Sequence, residues 1–141
     1  MFSWPIRVYY EDTDAGGVVY HASYLAFMER ARTEWLRSLE LEQDQLILKH
    51  QLIFAVRSLT IDYLKPALFN EALVVESSII KLGKASILFQ QQIVRKMNDS
   101  SELLIDATVK IAAINAQGET KKAILIPAEI YQIFSASTDS N

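Results

Sequence analysis

The spacing of apolar residues changes twice along the chain. Residues 6–11 alternate between apolar and polar positions, with Ile6, Val8 and Tyr10 on one side, which predicts a strand. Residues 22–39 then follow helical spacing without an interrupting glycine or proline, which predicts one long amphipathic helix. Its apolar stripe, expected to lie in the core, consists of Tyr24, Met28, Ala31 and Trp35.

The remainder of the chain is dominated by strand-like segments. A shorter helix is predicted over 42–50. Four strands are predicted after it, over 54–64, 72–82, 85–96 and 103–115, with a further short edge strand over 121–125. Because hairpin-length turns separate them, we expect the strands to pair antiparallel in succession. The fold class is therefore α+β, with a long helix packed against a five- to six-stranded antiparallel sheet.

The chain is expected to end in a short helix and a tail. Pro127 suits the first turn of a helix that carries Ile130, Ile133 and Phe134. Residues 135–141 are small and polar and have nothing to bury, so we predict a disordered tail. Residues 1–134 then form a single domain.

One helix cannot cover both faces of such a sheet. Several strands carry apolar residues on both faces, and the predicted sheet edges are long. Long edges and large apolar surfaces are normally covered by another chain. We therefore predict a homodimer that joins two sheets.

Composition excludes several classes of function. The 141 residues are 50% hydrophobic and carry a net charge of -3, so no basic excess indicates a nucleic-acid partner. Cysteine is absent, which removes thiolate nucleophiles and cysteine-ligated metals. Neither a signal peptide nor a membrane span is predicted, and the cytoplasm is the expected location.

Familiar catalytic and metal motifs are also missing. The four glycines form neither a serine-nucleophile elbow nor a phosphate-binding loop. The acidic run that begins at Asp12 resembles a calcium loop, but Gly16 and Ser23 stand where oxygen ligands are needed. A zinc site would have to combine His21 with the distant His50. No metal and no cofactor are therefore expected.

The stretch between the first strand and the long helix carries the candidate chemistry. Asp14 precedes the glycine pair and lies seven residues before His21, close to the predicted helix start. Helix-terminal amides favour a developing oxyanion, and a nearby carboxylate could attack a carbonyl or activate water, which suits acyl transfer. Spacing alone favours simpler roles, a turn residue for Asp14 and a capping or half-buried residue for His21.

A family resemblance bears on this choice. The residues that carry it are YYEDTDAGGVVYHASY at 9–24 and ERARTE at 29–34. They resemble the signature of the YbgC-type acyl-CoA thioesterases, which are associated with the Tol-Pal envelope system and belong to the 4-hydroxybenzoyl-CoA thioesterase family. The resemblance implies the hot-dog fold, a long helix wrapped by an antiparallel sheet that dimerises into one continuous sheet and often pairs again into a tetramer.

The resemblance also implies roles for individual residues. Asp14 corresponds to the catalytic aspartate, as nucleophile or general base, and the backbone amide at His21 to the group that polarises the thioester carbonyl. Sites of this family lie at a dimer interface, so a second subunit should contribute. The substrate-binding candidates are Gly17, Val18, Tyr20, Arg57, Ser58, Lys84 and Ser86. Of these, Arg57 and Ser58 would line the acyl or pantetheine channel, and Lys84 and Ser86, with Lys81, would meet the phosphates of coenzyme A.

The implied activity is hydrolysis of an acyl-CoA thioester to a free acid and coenzyme A. The substrate's carrier is left open between coenzyme A and acyl carrier protein. Two other functions also remain open: a hot-dog hydratase or dehydratase, and a non-catalytic binding or scaffold protein near the Tol-Pal complex.

Overall fold

A computed structural model describes residues 1–118 and 121–139. The helices are α1 (Ser23–Ser38), α2 (Gln43–His50) and α3 (Ala128–Asp139), and a short 3-10 turn spans Tyr10–Asp12. The strands are β1 (Phe2–Arg7), β2 (Leu52–Tyr63), β3 (Ala72–Leu82), β4 (Ser86–Lys96) and β5 (Ser101–Asn115). They form one antiparallel sheet in the order β1-β3-β4-β5-β2.

The strand order corrects the predicted hairpin succession. β3, β4 and β5 do follow one another as neighbours, but β2 pairs with β5 at the far edge and not with β3. The connection from β2 to β3 passes the ends of β5 and β4 instead of turning back. Leu64 and Lys65 donate their amides to Leu104 O of β5, and Arg95 of β4 donates to Pro66 O.

The first strand lies earlier than predicted. β1 pairs with β3 from Phe2 to Arg7, and the chain then enters the 3-10 turn. The buried carboxylate of Asp12 accepts a hydrogen bond from Tyr9 N at 2.8 Å, which closes this turn and ends the strand. Tyr10, expected on the apolar face, is instead 82% exposed.

The predicted strand over 121–125 is only an isolated bridge between Ala123 and Ile114. β4 begins at Ser86, opposite Ala112, and Ala113 N still donates to Ala85 O, so the free edge of β5 on that side runs only from Ala113 O to Asn115. Two bonds use this edge, Asn115 N to Lys122 O and Ile124 N to Ala113 O, both 2.9 Å long. A longer strand has no room there.

The core lies between α1 and the sheet, and α2 and α3 close it at one end. All four residues of the predicted helical stripe are buried, as are Phe27 and Leu36 on the same side of α1. One polar side chain, Gln91 of β4, is completely buried among them. It donates to Met28 O and Ser77 Oγ and accepts from Arg32 Nη1, so it fixes α1 against the sheet without an unpaired polar group.

α3 corrects the predicted tail at its first five residues. The helix continues through Asp139, while residues 140 and 141 of the predicted tail lie outside the described residues. Phe134 is completely buried and its ring lies 5.0 Å from that of Trp35. Beyond it, Ser137 Oγ and Thr138 Oγ1 donate to Phe134 O and Ser135 O, so small polar residues satisfy the helix's own carbonyls.

Packing of α3 gives a first testable prediction. Ile130 is 1% exposed, and its replacement by valine removes one buried methylene. We expect the free energy of unfolding to fall by about 1 kcal/mol in denaturant titrations. The exposed Gln132 on the same helix is the control, and Gln132→Ala should leave the unfolding midpoint nearly unchanged. Equal effects of the two changes would contradict the packing of α3 into the core.

Candidate active site

The segment from Thr13 to Val19 is a tight loop closed by its own backbone. Thr13 and Val19 form an antiparallel bridge. Within it, Asp14 N donates to Val18 O and Gly17 N donates to Asp14 O, each at 3.0 Å. Gly17 has a φ of 80°, a left-handed conformation that glycine adopts without steric cost. The second glycine is therefore required by the turn.

The side chain of Asp14 is exposed at the tip of this loop. Its Oδ1 accepts a hydrogen bond from Gly16 N at 2.8 Å. A Cβ atom at Gly16 would lie 3.1 Å from that oxygen, so the first glycine permits the close approach of the carboxylate. Oδ2 has no hydrogen-bond partner among the described residues. One carboxylate oxygen is thus held, and the other is available to water or a substrate.

The loop is anchored to the segment that follows β2. Val19 N donates to Ala67 O at 2.9 Å, and Val18 forms a bridge with Leu68. Tyr20 N donates to Asp12 O at 2.8 Å on the other side. These bonds place the end of the loop directly before the first turn of α1.

His21 lies at the start of the long helix. α1 begins at Ser23, whose amide donates to Tyr20 O at 2.9 Å, and Leu25 N donates to Ala22 O at 3.1 Å. The amide of His21 has no acceptor in the part of the chain that the structure describes. Its carbonyl accepts a hydrogen bond from Tyr63 Oη at 3.0 Å. A free amide beside the positive end of the helix dipole is suited to an anion or a polarised carbonyl.

A cavity of about 280 Å³ opens beside this helix start. Residues from the loop, α1 and the end of β2 line it: Val19, His21, Tyr24, Tyr63, Leu64, Lys65 and Pro66. Tyr24 also accepts a hydrogen bond from Ala67 N at 3.0 Å, and burial raises the pKa of its phenol. No sequence pattern singles out Tyr63 or Lys65, because their proximity to His21 depends on the path of the chain after β2.

A second cavity, of about 380 Å³, lies between the first turns of α1 and the exposed strand β2. Its wall is mostly apolar: Leu25, Ala26, Met28, Glu29, Arg32, Val56, Leu59 and Val109. Arg32 is half-buried, and its burial lowers the pKa of the guanidinium. The cavity follows α1 away from His21.

Five of the predicted site residues lie within residues 14–21. Asp14, Gly17 and Val18 belong to the loop, and Tyr20 and His21 follow it directly. The ring of Tyr20 is exposed, and its centroid lies 4.5 Å from that of His21.

Arg57 and Ser58 lie elsewhere, in the exposed middle of β2. Arg57 occupies a bulge between Val56 and Ser58 and has no paired residue on β5. Tyr63, which lines the site cavity, is six residues further along, or about 20 Å in an extended strand. One chain therefore does not bring Arg57 and Ser58 to Asp14.

Lys84 and Ser86 are still more distant. Lys84 lies in the turn between β3 and β4, and Ser86 is the first residue of β4, where Gly83 N donates to Ser86 O at 2.8 Å. Arg95, which contacts the segment beside the loop, is close to the other end of β4, about 30 Å away along the strand. Only a second chain could bring Lys84 and Ser86 to the same substrate as Asp14, so their assignment stays a prediction.

Comparison with known proteins identifies the family. Residues 16–101 match the family described as the thioesterase superfamily, so the chain belongs to it. The acyl-CoA thioesterase YbgC of Haemophilus influenzae is 46% identical over 94% of this chain and 93% of its own length. The resemblance to YbgC-type thioesterases, drawn from residues 9–34, is thereby confirmed.

Solved structures agree with the fold. A probable thioesterase from Bartonella henselae is 35% identical, with a TM-score of 0.80 over 89% of this chain and 98% of that one. The 4-hydroxybenzoyl-CoA thioesterase of Pseudomonas sp. strain CBS-3 is only 18% identical, but its TM-score is 0.86 over 94% and 97% of the two chains. The predicted α+β hot-dog fold is confirmed, with five strands in the sheet. Among the helices of the described residues, none has the length and apolar character needed to span a membrane.

Proposed function

We propose that this protein hydrolyses an acyl-CoA thioester to a free acid and coenzyme A. One observation carries the proposal: within residues 14–21, the Asp14 carboxylate has one oxygen and His21 has an amide that make no hydrogen bond to any of the described residues. The membership in the thioesterase superfamily and the name of the relative from Haemophilus influenzae support the same reaction class.

The chemistry divides between these two groups. The amide of His21 donates to the thioester oxygen and stabilises the negative charge that develops there. The positive end of the α1 dipole adds to this stabilisation. Asp14 either removes a proton from the attacking water or attacks the carbonyl carbon itself, giving an anhydride that water then opens. In both routes the C–S bond breaks, the acid is released and the thiolate of coenzyme A takes up a proton.

A homodimer would complete the site. β2 is an edge strand whose middle is exposed on both faces, including Val56 at 52% and Leu59 at 37%. Antiparallel pairing of two β2 strands around Arg57 brings the Leu52 end of one strand beside the Tyr63 end of the other. The turn that carries Lys84 and Ser86 lies at the Leu52 end, because β4 begins there. It therefore approaches the second chain's loop, where both residues and Lys81 could meet coenzyme A.

The apolar cavity between α1 and β2 suits the acyl group, and the size of this cavity will limit the length of the acyl chain that the enzyme accepts. The deciding experiment is a panel of acyl-CoA and acyl carrier protein thioesters of increasing chain length, including aromatic ones, assayed by release of free thiol. We expect release from a limited range of chain lengths. Loss of enoyl absorbance without thiol release would indicate a hydratase, and absence of both turnover and binding would favour a scaffold protein.

A further inference from the structure

The loop from Thr13 to Val19, here called the catalytic loop, bonds through Val18 and Val19 to one short segment, residues 65–71. Ala67 supplies the carbonyl that accepts Val19 N, and Leu68 supplies the bridge to Val18. This segment crosses the ends of β5 and β4. Backbone bonds hold its two ends, from Lys65 N to Leu104 O at one end and between Val8 and residues 70–71 at the other, and Tyr24 Oη accepts the amide of Ala67. Pro66 O and Leu68 N are held by further contacts, which also bear on the position of the loop.

A charged pair supplies those contacts. Arg95 Nη2 donates to Pro66 O at 2.7 Å and to Glu71 Oε1 at 3.0 Å, while Nε lies 2.8 Å from Glu71 Oε2. Glu71 Oε1 also accepts the amide of Leu68 at 2.6 Å. The bond between Arg95 and Glu71 is partly buried, whereas the bonds to Pro66 O and from Leu68 N are exposed to solvent. Because a charged side chain takes part in each of them, they are stronger than bonds between neutral groups. One pair thus holds residues 66, 68 and 71.

A second carboxylate keeps the arginine in place. Glu102 of β5 pairs with Arg95 Nη1 and accepts a bond from Lys65 Nζ at 2.7 Å. The bond from Lys65 is the main reason that the pKa of Glu102 falls below its usual value. Burial alone would lower the pKa of Arg95, but its bonds to Glu71 and Glu102 outweigh burial and raise it. Both shifts favour the charged forms of Arg95 and Glu102.

We propose that Glu71 and Arg95 are positioning residues for the catalytic loop. A continuous series of hydrogen bonds connects the ion pair to Asp14. The ion pair holds residues 66–68, these residues bond to Val18 and Val19, and Val18 O accepts the amide of Asp14. Among the described residues, the carboxylate of Asp14 has one hydrogen-bond partner, Gly16 N, which belongs to the same loop. The position of the carboxylate therefore follows that of the loop backbone. The inference rests on the proposed role of Asp14.

The test compares two changes at Glu71. Glu71→Ala removes the acceptor of Leu68 N and the partner of Arg95. We expect kcat to fall about 10- to 100-fold, because a displacement of the Asp14 carboxylate by about 1 Å suffices for such a loss. KM should stay within about threefold of the value for the parent protein. Glu71→Gln keeps an oxygen for Leu68 N and should retain kcat within about threefold of the parent protein.

A structural measurement accompanies the kinetics. In Glu71→Ala, the amides of Val19 and Leu68 should exchange with solvent faster than in the parent protein, whereas the amide of Phe89 in the centre of β4 should not change. If Glu71→Ala fails to fold, Arg95→Lys carries the same test, because lysine keeps the charge but cannot bond to Pro66 O and Glu71 together.

The control breaks a neighbouring ion pair that holds no part of the loop. Lys96 follows Arg95 on β4 and pairs with Glu76 at 3.9 Å, so Lys96→Met should leave kcat unchanged. Unchanged kcat in folded Glu71→Ala, or an equal loss in Lys96→Met, would overturn the positioning role. Asp14→Asn, measured alongside, separates the two ideas: if it retains turnover the proposed catalytic role fails, and if it alone is inactive only the positioning role fails.

Discussion

Replacing Asp14 with asparagine is expected to lower kcat about 10²- to 10⁴-fold, the range for losing a general base. Asparagine has nearly the same shape, and its side-chain oxygen can still accept the bond from Gly16 N, so the loop should keep its conformation. What it loses is the charge and the basicity of the free oxygen. Turnover is measured by thiol release from the best substrate of the chain-length panel, and folding by the thermal unfolding midpoint.

The matched control is another acid of the same cluster. Glu11 is exposed in the 3-10 turn, and its side chain makes no hydrogen bond or ion pair with the described residues, so Glu11→Gln should keep kcat within about twofold. Retention of most of the activity by Asp14→Asn, with normal folding, would show that this carboxylate is not the base or nucleophile.

The second large effect is expected from β2. Val56→Asp would place two carboxylates on the same face near the centre of the proposed interface, in a region that pairing removes from water. We expect the solution mass to fall from that of a dimer to that of a monomer. Because the site would then lack its second chain, kcat/KM should fall on the order of 10²-fold.

Leu48 provides the control for this change. It is 76% exposed on α2 and lies outside β2, so Leu48→Asp adds the same charge without changing a residue of the pairing strand. Sedimentation equilibrium of the three proteins decides the question. A parent protein that is already monomeric, or a Val56→Asp protein that remains dimeric, would contradict assembly through β2.

Local patterns predicted the elements that are defined locally. β3 begins and ends as predicted, because Asn70, with a φ of 68°, and the turn at Gly83 bound it. α1 differs from its predicted range by one residue at each end, since its apolar stripe follows helical spacing throughout. The loop of Asp14 and His21 was recognisable for the same reason, as both residues lie within one stretch of sequence.

Pairing across the sheet could not be predicted in this way. Alternation shows which side chains share a face, but it does not show which strand lies next to which, so β2 was expected beside β3 and lies beside β5. For the same reason, contacts of the candidate site between residues far apart in sequence could not be predicted. Tyr63 reaches His21 and Arg95 reaches Glu71 through contacts 42 and 24 residues apart in sequence. In α3, polar composition suggested disorder, whereas Ser137 and Thr138 bond to the helix itself.

The two edges of the sheet differ in a way that bears on growth beyond two chains. β1 contains Pro5, which lacks an amide hydrogen and so removes a donor from this six-residue edge strand. β2 offers a long edge without proline. Pairing of β2 with itself is isologous and closes after two copies, whereas pairing of β2 with β1 would repeat head to tail into a filament. Pro5 therefore acts against open-ended polymerisation while leaving the closed assembly undisturbed.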